Sequence, residues 1–199
     1  MEISETNLII NHIENCLVNR DMTIVLIAGN SRAGKSTLSN EILDYFNEKN
    51  IYTQRIELDN WIISVDQRTE KMNVFDRFNA SKIEEDFKVL TRGSTLQLDA
   101  YEAKSRGRTR IQKSISLIKK GVVIVEGVIA LGLSSLVSYA DIRIYVDIDE
   151  SIRKERFIEF YTNKGLAINE IENTYLNRLE DEFKLIDSTK ANANIIYKR

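Results

Sequence analysis

Eight residues, Gly29-Asn30-Ser31-Arg32-Ala33-Gly34-Lys35-Ser36, carry the densest chemistry in the chain. They fit the spacing G-x-x-x-x-G-K-[ST], in which each fixed position has a physical task. Gly29 and Gly34 let the backbone turn tightly, so that successive N–H groups face one concavity able to hold phosphate oxygens. Lys35 brings a cation to the terminal phosphates and Ser36 offers a hydroxyl to Mg²⁺. The helix that follows points its positive N-terminus at the same anion, and Thr37 belongs to the same binding set. The spacing therefore predicts a loop that holds a nucleoside triphosphate with Mg²⁺. The one Asn-Lys pair, Asn163-Lys164, continues with Gly165-Leu166, so no N-K-x-D guanine-reading run is present and ATP is expected.

Two acidic residues stand where such a loop needs them. Glu126 closes the apolar run "GVVIVEG", at a strand end expected beside the loop and near the metal. Asp59, in "RIELDNW", ends a second strand at the sheet edge where ligands bind in doubly wound folds, and is the candidate base for an acceptor hydroxyl. Trp61, the only tryptophan, reads as a packing anchor. Lys104, Arg106, Arg108, Arg110 and Lys113 read either as a solvated face or as a wall turned to an anion. Arg153, Lys154, Arg156 and Lys164 sit on or beside a predicted helix, where they read either as ordinary surface charge or, for some of them, as part of a lid over the phosphates. His12, the only histidine, lies far from every motif and receives no role.

The elements that must position these residues follow from hydrophobic periodicity. Ser4–Asn19 has helical spacing at Leu8, Ile9, Ile13, Cys16 and Leu17. Thr23–Ala28, Ile51–Leu58, Gly121–Val125, Ile142–Val146 and Asn194–Tyr197 read as strands. Those at Thr23 and Gly121 are continuously apolar, as suits parallel strands buried on both faces. Helices are predicted over Ser36–Lys49, Lys82–Leu90, Ser151–Tyr161 and Asn169–Ile186. Alternation of strand and helix predicts an α/β fold of the P-loop NTPase type: a parallel sheet of about five strands flanked by helices. Residues 1–199 read as one domain, with an N-terminal helix at 1–20, an irregular insertion at 59–120 over the sheet's carboxyl edge, and a lid helix at 149–168.

Composition narrows the function classes. With 199 residues, 43% hydrophobic and 29% charged, the chain has an ordinary globular profile, and its net charge of −2 gives no general attraction for nucleic acid. One cysteine, Cys16, allows neither an internal disulfide nor a cysteine-built zinc site. No apolar run approaches the roughly 18 residues of a membrane span, and "MEISETNLII" lacks a basic stretch followed by an apolar core. The expectation is a cytoplasmic protein whose partner is a small-molecule hydroxyl acceptor, with no nucleic acid and no membrane; self-association is left open.

The loop, "LDNW", "FDRFNASKIEEDFKVLTRG", "LDAYEAKSRGRTR", "VVIVEGVIAL", "DIRIYVDIDESIRKER" and "LIDSTKANANII" fall in an order that resembles the uridine kinase/phosphoribulokinase family, over roughly residues 22 to 198. The resemblance implies a five-stranded parallel sheet and a small hairpin forming part of the acceptor site. It implies that Asp59 activates the acceptor hydroxyl and that Glu126 stands near Mg²⁺. It further implies that Asp76, beside Phe75, binds ribose hydroxyls, that Tyr101 lies against a nucleobase, and that Arg153 and Arg156 are lid arginines meeting the phosphates.

Departures from the family pattern gather on the acceptor side. Glu102 stands for an aspartate, Arg106 for a base-reading histidine, Arg77-Phe78 for His-Pro, and Phe160-Tyr161 for an Arg-Asp pair on the lid. Ser188 and Asn194 replace a proline and an aspartate. If 104–110 runs as a strand, Arg106, Arg108 and Arg110 share one face. A guanidinium suits phosphate, carboxylate or paired carbonyls better than imidazole does, so an acceptor with an anionic group is expected as the alternative to uridine or cytidine. A nucleotide-dependent switch is the alternative of another class.

Overall fold

A computed structural model of the chain describes residues 5–199, the side chain of Asp181 excepted; Ser4, the predicted start of the first helix, lies outside the described residues. The first half runs α1 (Glu5–Asn19), β1 (Met22–Ala28), α2 (Lys35–Glu48), β2 (Thr53–Glu57), α3 (Val74–Arg77), α4 (Ala80–Thr91), β3 (Leu96–Tyr101) and β4 (Arg110–Ile115). The second half runs β5 (Gly121–Glu126), α5 (Ser134–Tyr139), β6 (Ile142–Asp147), α6 (Glu150–Thr162), α7 (Ile168–Arg178), α8 (Lys184–Ser188) and β7 (Ile195–Lys198).

The five-stranded sheet has the order β2-β5-β1-β6-β7, and every pairing in it is parallel. The two central strands explain themselves: every residue of β5 is buried, and so are Val25–Ala28 of β1. Each valine or isoleucine fully buried there contributes roughly 1.5–3 kcal/mol relative to exposure. One apolar layer lies between the sheet and α1 and α2, where Ile9, Ile10 and Ile13 meet Ile42, Phe46, Val25 and Ile27. The other lies under α4, α5 and the insertion, around Leu58, Trp61, Phe87, Val125 and Leu136. The α/β fold with a parallel five-stranded sheet is as the sequence predicts.

Outside the sheet, β3 and β4 form an antiparallel hairpin pairing Leu96 with Ile115 and Tyr101 with Arg110. The segment expected to form the lid has a small core of its own, Phe157, Ile171, Tyr175 and Phe183, gathered from α6, α7 and the segment behind α7. The helix predicted over Asn169–Ile186 is there, but with a π-helical turn at Leu179–Phe183 that the periodicity did not reveal. The predicted second strand stops at Glu57 and passes into a 3₁₀ turn, Leu58–Trp61. Among the described residues no helix is long and apolar enough to cross a membrane.

Candidate active site

At the end of β1 the chain enters the glycine loop. Gly29 has φ +138°, and a Cβ there would sit 2.4 Å from the Val146 carbonyl oxygen, so the close approach to β6 admits only glycine. Asn30 Nδ2 donates to Asp187 Oδ1 at 2.8 Å, and the Tyr145 hydroxyl donates to the same oxygen at 2.5 Å. The front of the loop is thus pinned to α8 and β6. Burial and the bond to Asp187 push the Tyr145 phenol well above its ordinary range, so it stays a donor. Gly34, φ +103°, turns the chain into α2.

Lys35 curls back so that its Nζ donates to the Asn30 carbonyl at 3.0 Å, and the Ala33 N–H donates to the same oxygen at 3.2 Å. Burial lowers the Lys35 pKa, while Asp59, Glu126 and Glu182 act to raise it. The Ser31 hydroxyl is buried without a hydrogen-bond partner among the described residues. A helix N-terminus, an ammonium and an orphaned hydroxyl on one loop fit a polyphosphate. The cavity against this loop, about 460 Å³, is walled by Arg32, Gly34, Lys35, Ser36 and Thr37 on one side and by Arg156, Glu159, Phe160 and Asn163 of the lid on the other, with Arg199 closing one end.

Asp59 is the exposed member of the 3₁₀ turn, whose other residues Leu58, Asn60 and Trp61 are buried, and it lies close enough to the loop for its charge to act on Lys35. Trp61 anchors the turn as expected: its Nε1 donates to the buried Asp86 at 2.7 Å and its ring meets Phe87. The surrounding protein raises the Asp59 pKa above the usual aspartate range by desolvation, Lys35 opposes this, and Glu57 and Glu126 add to it. A carboxylate shifted towards neutrality is a stronger proton acceptor. Glu126 ends β5 between Ile27 and Glu57 and is buried; its Oε2 accepts from Ser39 Oγ at 3.0 Å and its Oε1 lies 3.9 Å from Arg55 Nε. The Ser36 hydroxyl and the Glu126 carboxylate are hard oxygen donors of the kind Mg²⁺ takes alongside water and phosphate, so the residues present fit that ion.

The acceptor side departs from expectation in several places. Residues 102–109 are a turn, not a strand; Arg106 has φ +56°, and Arg106, Arg108 and Arg110 share no face. Arg108 pairs with Asp66 through Nε and Nη2, both at 3.0 Å at closest, Arg110 donates to the Ile62 carbonyl, and Lys113 donates to Asn60. Three cations of the run therefore fasten the hairpin to 60–66. Arg106 alone of the three arginines reaches towards the lid, close enough to help depress the Lys164 pKa, which burial lowers first and Arg32 and Arg178 lower as well. Tyr101 rests its ring against Gly107 and lies 5.9 Å from the Arg68 guanidinium, whose buried Nε has no partner among the described residues. Phe75 packs edge-on over Gly132, and Asp76 accepts the Asn73 N–H with one oxygen, capping α3 and leaving the other exposed.

On the lid, the two arginines divide. Arg156 faces the loop cavity as expected. Arg153 does not: it is buried, stacked 3.8 Å over Phe183, and opens instead into a separate cavity of about 140 Å³ behind Asn30 and Ala33. Phe160 and Tyr161 each hold an arginine: Arg32 lies 3.2 Å over the Phe160 ring, and Arg178 Nη2 donates to the Tyr161 hydroxyl at 2.9 Å. Arg178 and Arg77 both reach the buried Glu182, at 3.6 and 3.5 Å. Arg68, Arg178, Glu182 and Arg199 were invisible as site residues in the sequence, because no spacing rule links them to the loop. A larger cavity, about 590 Å³, lies beyond β2 and touches none of the loop; its cations Arg55 and Lys113 are bound by Glu57 and Asn60.

A parallel sheet that delivers a glycine loop to a helix N-terminus, with acidic residues on the neighbouring strands, defines a P-loop NTPase-type α/β protein. Within that class, the chain belongs to the phosphoribulokinase/uridine kinase family, whose model matches residues 24–199. It is 32% identical over 189 residues to a uridine kinase of Staphylococcus aureus (strain JH9) and 30% identical over 187 residues to one of Staphylococcus haemolyticus, each alignment covering 87% of this chain and 86% of the other. The fold is also that of phosphoribulokinase from Rhodobacter spheroides, with a TM-score of 0.66 at 13% identity over 89% of this chain and 70% of that one. A D-glycerate 3-kinase from Cryptococcus neoformans superposes with a TM-score of 0.64 at 11% identity, over 92% and 89% of the two chains.

Proposed function

We propose that the protein is an ATP-dependent phosphotransferase acting on a hydroxyl of a small molecule, in the manner of uridine and cytidine kinases. The observation that carries this reading is the facing pair across one cleft: Lys35 on the phosphate loop, and Asp59 on the turn behind β2, each within the other's field. Asp59 takes the proton of the acceptor hydroxyl, the oxygen forms its bond to the γ-phosphorus, and the bond from that phosphorus to the β,γ-bridging oxygen breaks, releasing ADP. Lys35 and Arg156 face the charge on the transferring group. Ser36 and Glu126 would hold Mg²⁺, which when bound neutralises phosphate charge. ADP release on adding a panel of nucleosides, sugars, sugar acids and nucleotides tests the reading; slow turnover that no acceptor stimulates would favour a switch.

A second reading concerns the acceptor. Lys164, Arg106, Arg32 and Arg178 crowd the cleft mouth closely enough that the three arginines depress the Lys164 pKa, after burial. Such a cluster favours an acceptor bearing a phosphate or carboxylate over a neutral nucleoside. The same panel decides it: uridine giving the highest kcat/KM, with Arg106→Ala unchanged, removes the reading.

A further inference from the structure

Arg32 is an unusual occupant of its position. Its backbone is left-handed, φ +67°, a region that costs side-chain-bearing residues energy and that glycine enters freely. Strain of this kind is a reason to ask what the side chain does. Arg32 crosses the cleft from the phosphate loop to the lid and rests 3.2 Å over the Phe160 ring. It makes no ion pair with a described residue. Its charge is nonetheless felt at Asp59, whose pKa it lowers, and at Lys35, whose pKa it also lowers. The guanidinium thus lies within the field of both the loop lysine and the candidate base, and the transferring phosphoryl group passes between those two.

A cation lying on a ring face is held by an attraction weaker than a charge-assisted hydrogen bond to a phosphate oxygen. The geometry points to Arg32 as a catalytic cation carried by the phosphate loop itself, which leaves Phe160 for the γ-phosphoryl oxygens while that group passes from ADP to the acceptor. The inference rests on the phosphotransferase reading above. Its chemistry adds nothing to the balance already written: the proton goes to Asp59, the electron pair of the breaking P–O bond leaves with ADP, and Arg32 stays protonated. Its planar donors suit oxygens whose charge is spread sideways from the line of attack, and it adds a second cation to Lys35, whose Nζ donates to the Asn30 carbonyl.

Arg32→Gly is the decisive variant, because glycine suits the left-handed backbone and only the guanidinium is lost. The expected result is a melting temperature equal to or above wild type, ATP affinity within about threefold, and kcat down by at least about 10²-fold, as for loss of a donor to developing charge. Arg32→Lys should fall between the two in kcat. Tight binding of ADP with Mg²⁺ and aluminium fluoride, in the presence of the acceptor that turns over best, should weaken far more than ATP binding. An Arg32→Gly protein that keeps kcat within threefold of wild type overturns the inference and leaves the phosphotransferase reading standing. Loss of ATP affinity in proportion to kcat overturns it too, by making Arg32 a ground-state contact. A wild-type protein that no acceptor stimulates removes both.

Discussion

The proposed function divides the cleft into a phosphate wall and an acceptor wall, and the two are held in place by different forces. On the phosphate side, β1 and β5 are buried along most of their length, and the loop they support is fixed by backbone proximity at Gly29 and by the Asn30–Asp187–Tyr145 bonds. On the acceptor side, β3 alternates buried and exposed residues, β4 has no buried residue, and the hairpin is tied down by Arg108, Arg110 and Lys113. Backbone packing leaves little freedom to the groups that move phosphate. Side-chain ties leave the acceptor pocket open to change by single substitutions. The difference teaches that a run of cations dense enough to look like a recognition surface is, at Arg108, Arg110 and Lys113, a set of fastenings.

The largest expected effect tests whether the two walls work on one reaction. Asp59→Asn should lower kcat about 10²–10⁴-fold, the range for losing a general base, while ATP affinity changes little. Because the Asp59 pKa is raised, the acid limb of the wild-type kcat/KM profile should lie above the ordinary aspartate range, and the variant should lose it. The same shift has a sign for stability. Between the unfolded and the raised folded pKa the folded state holds more protons, so stability falls as pH rises through that window, and Asp59→Asn should flatten the fall. A variant that loses ATP affinity and keeps kcat would place Asp59 on the phosphate wall.

Lys35→Ala should cost about 10²–10³-fold in kcat, or roughly 3–4 kcal/mol, with the melting temperature unchanged, since the side chain faces the cleft and not the core. Retention of more than about a tenth of kcat would remove the loop from the chemistry. Glu126→Gln keeps shape and removes charge, so the Mg²⁺ concentration for half-maximal rate should rise and excess metal should recover part of the loss. An unchanged titration would leave Glu126 as a partner of Ser39 alone. The smallest effect belongs to the fastening: Arg108→Ala breaks an exposed pair with Asp66 and should cost about 0.2–1 kcal/mol of stability. Its effect on rate should appear in KM for the acceptor and not in KM for ATP.

The phosphate wall was legible in the sequence because backbone rules govern it. Continuous apolar runs predict buried parallel strands, and the glycine spacing predicts the loop, so Gly29 to Thr37 and Glu126 were named from pattern alone; Asp59, on the other side of the cleft, was named from its place at a strand end. The acceptor wall was less legible because its residues meet through tertiary contacts with no fixed spacing. Arg106, Arg108 and Arg110 look like one strand face, yet the left-handed Arg106 and the turn it belongs to send them three ways. Arg153 and Arg156 look like a pair, yet the helix turns one under the loop. Phe160 and Tyr161 read as missing charges; in the structure they hold Arg32 and Arg178, which come from elsewhere in the chain.

The lid's own small core has a consequence for motion. Phe157, Ile171, Tyr175 and Phe183 bury one another without using the sheet, and the rings of Phe157 and Tyr175 meet at 5.2 Å. A segment so built keeps its internal hydrogen bonds whether it stands near the phosphate loop or away from it. Its amides should therefore exchange slowly with deuterium even when no nucleotide is present, and nucleotide should slow exchange mainly at the joints, near Asp149 and the π-helical turn at 179–183. Protection rising evenly across α6 and α7 on adding nucleotide would instead make the whole segment, and not its joints, the part that the nucleotide orders.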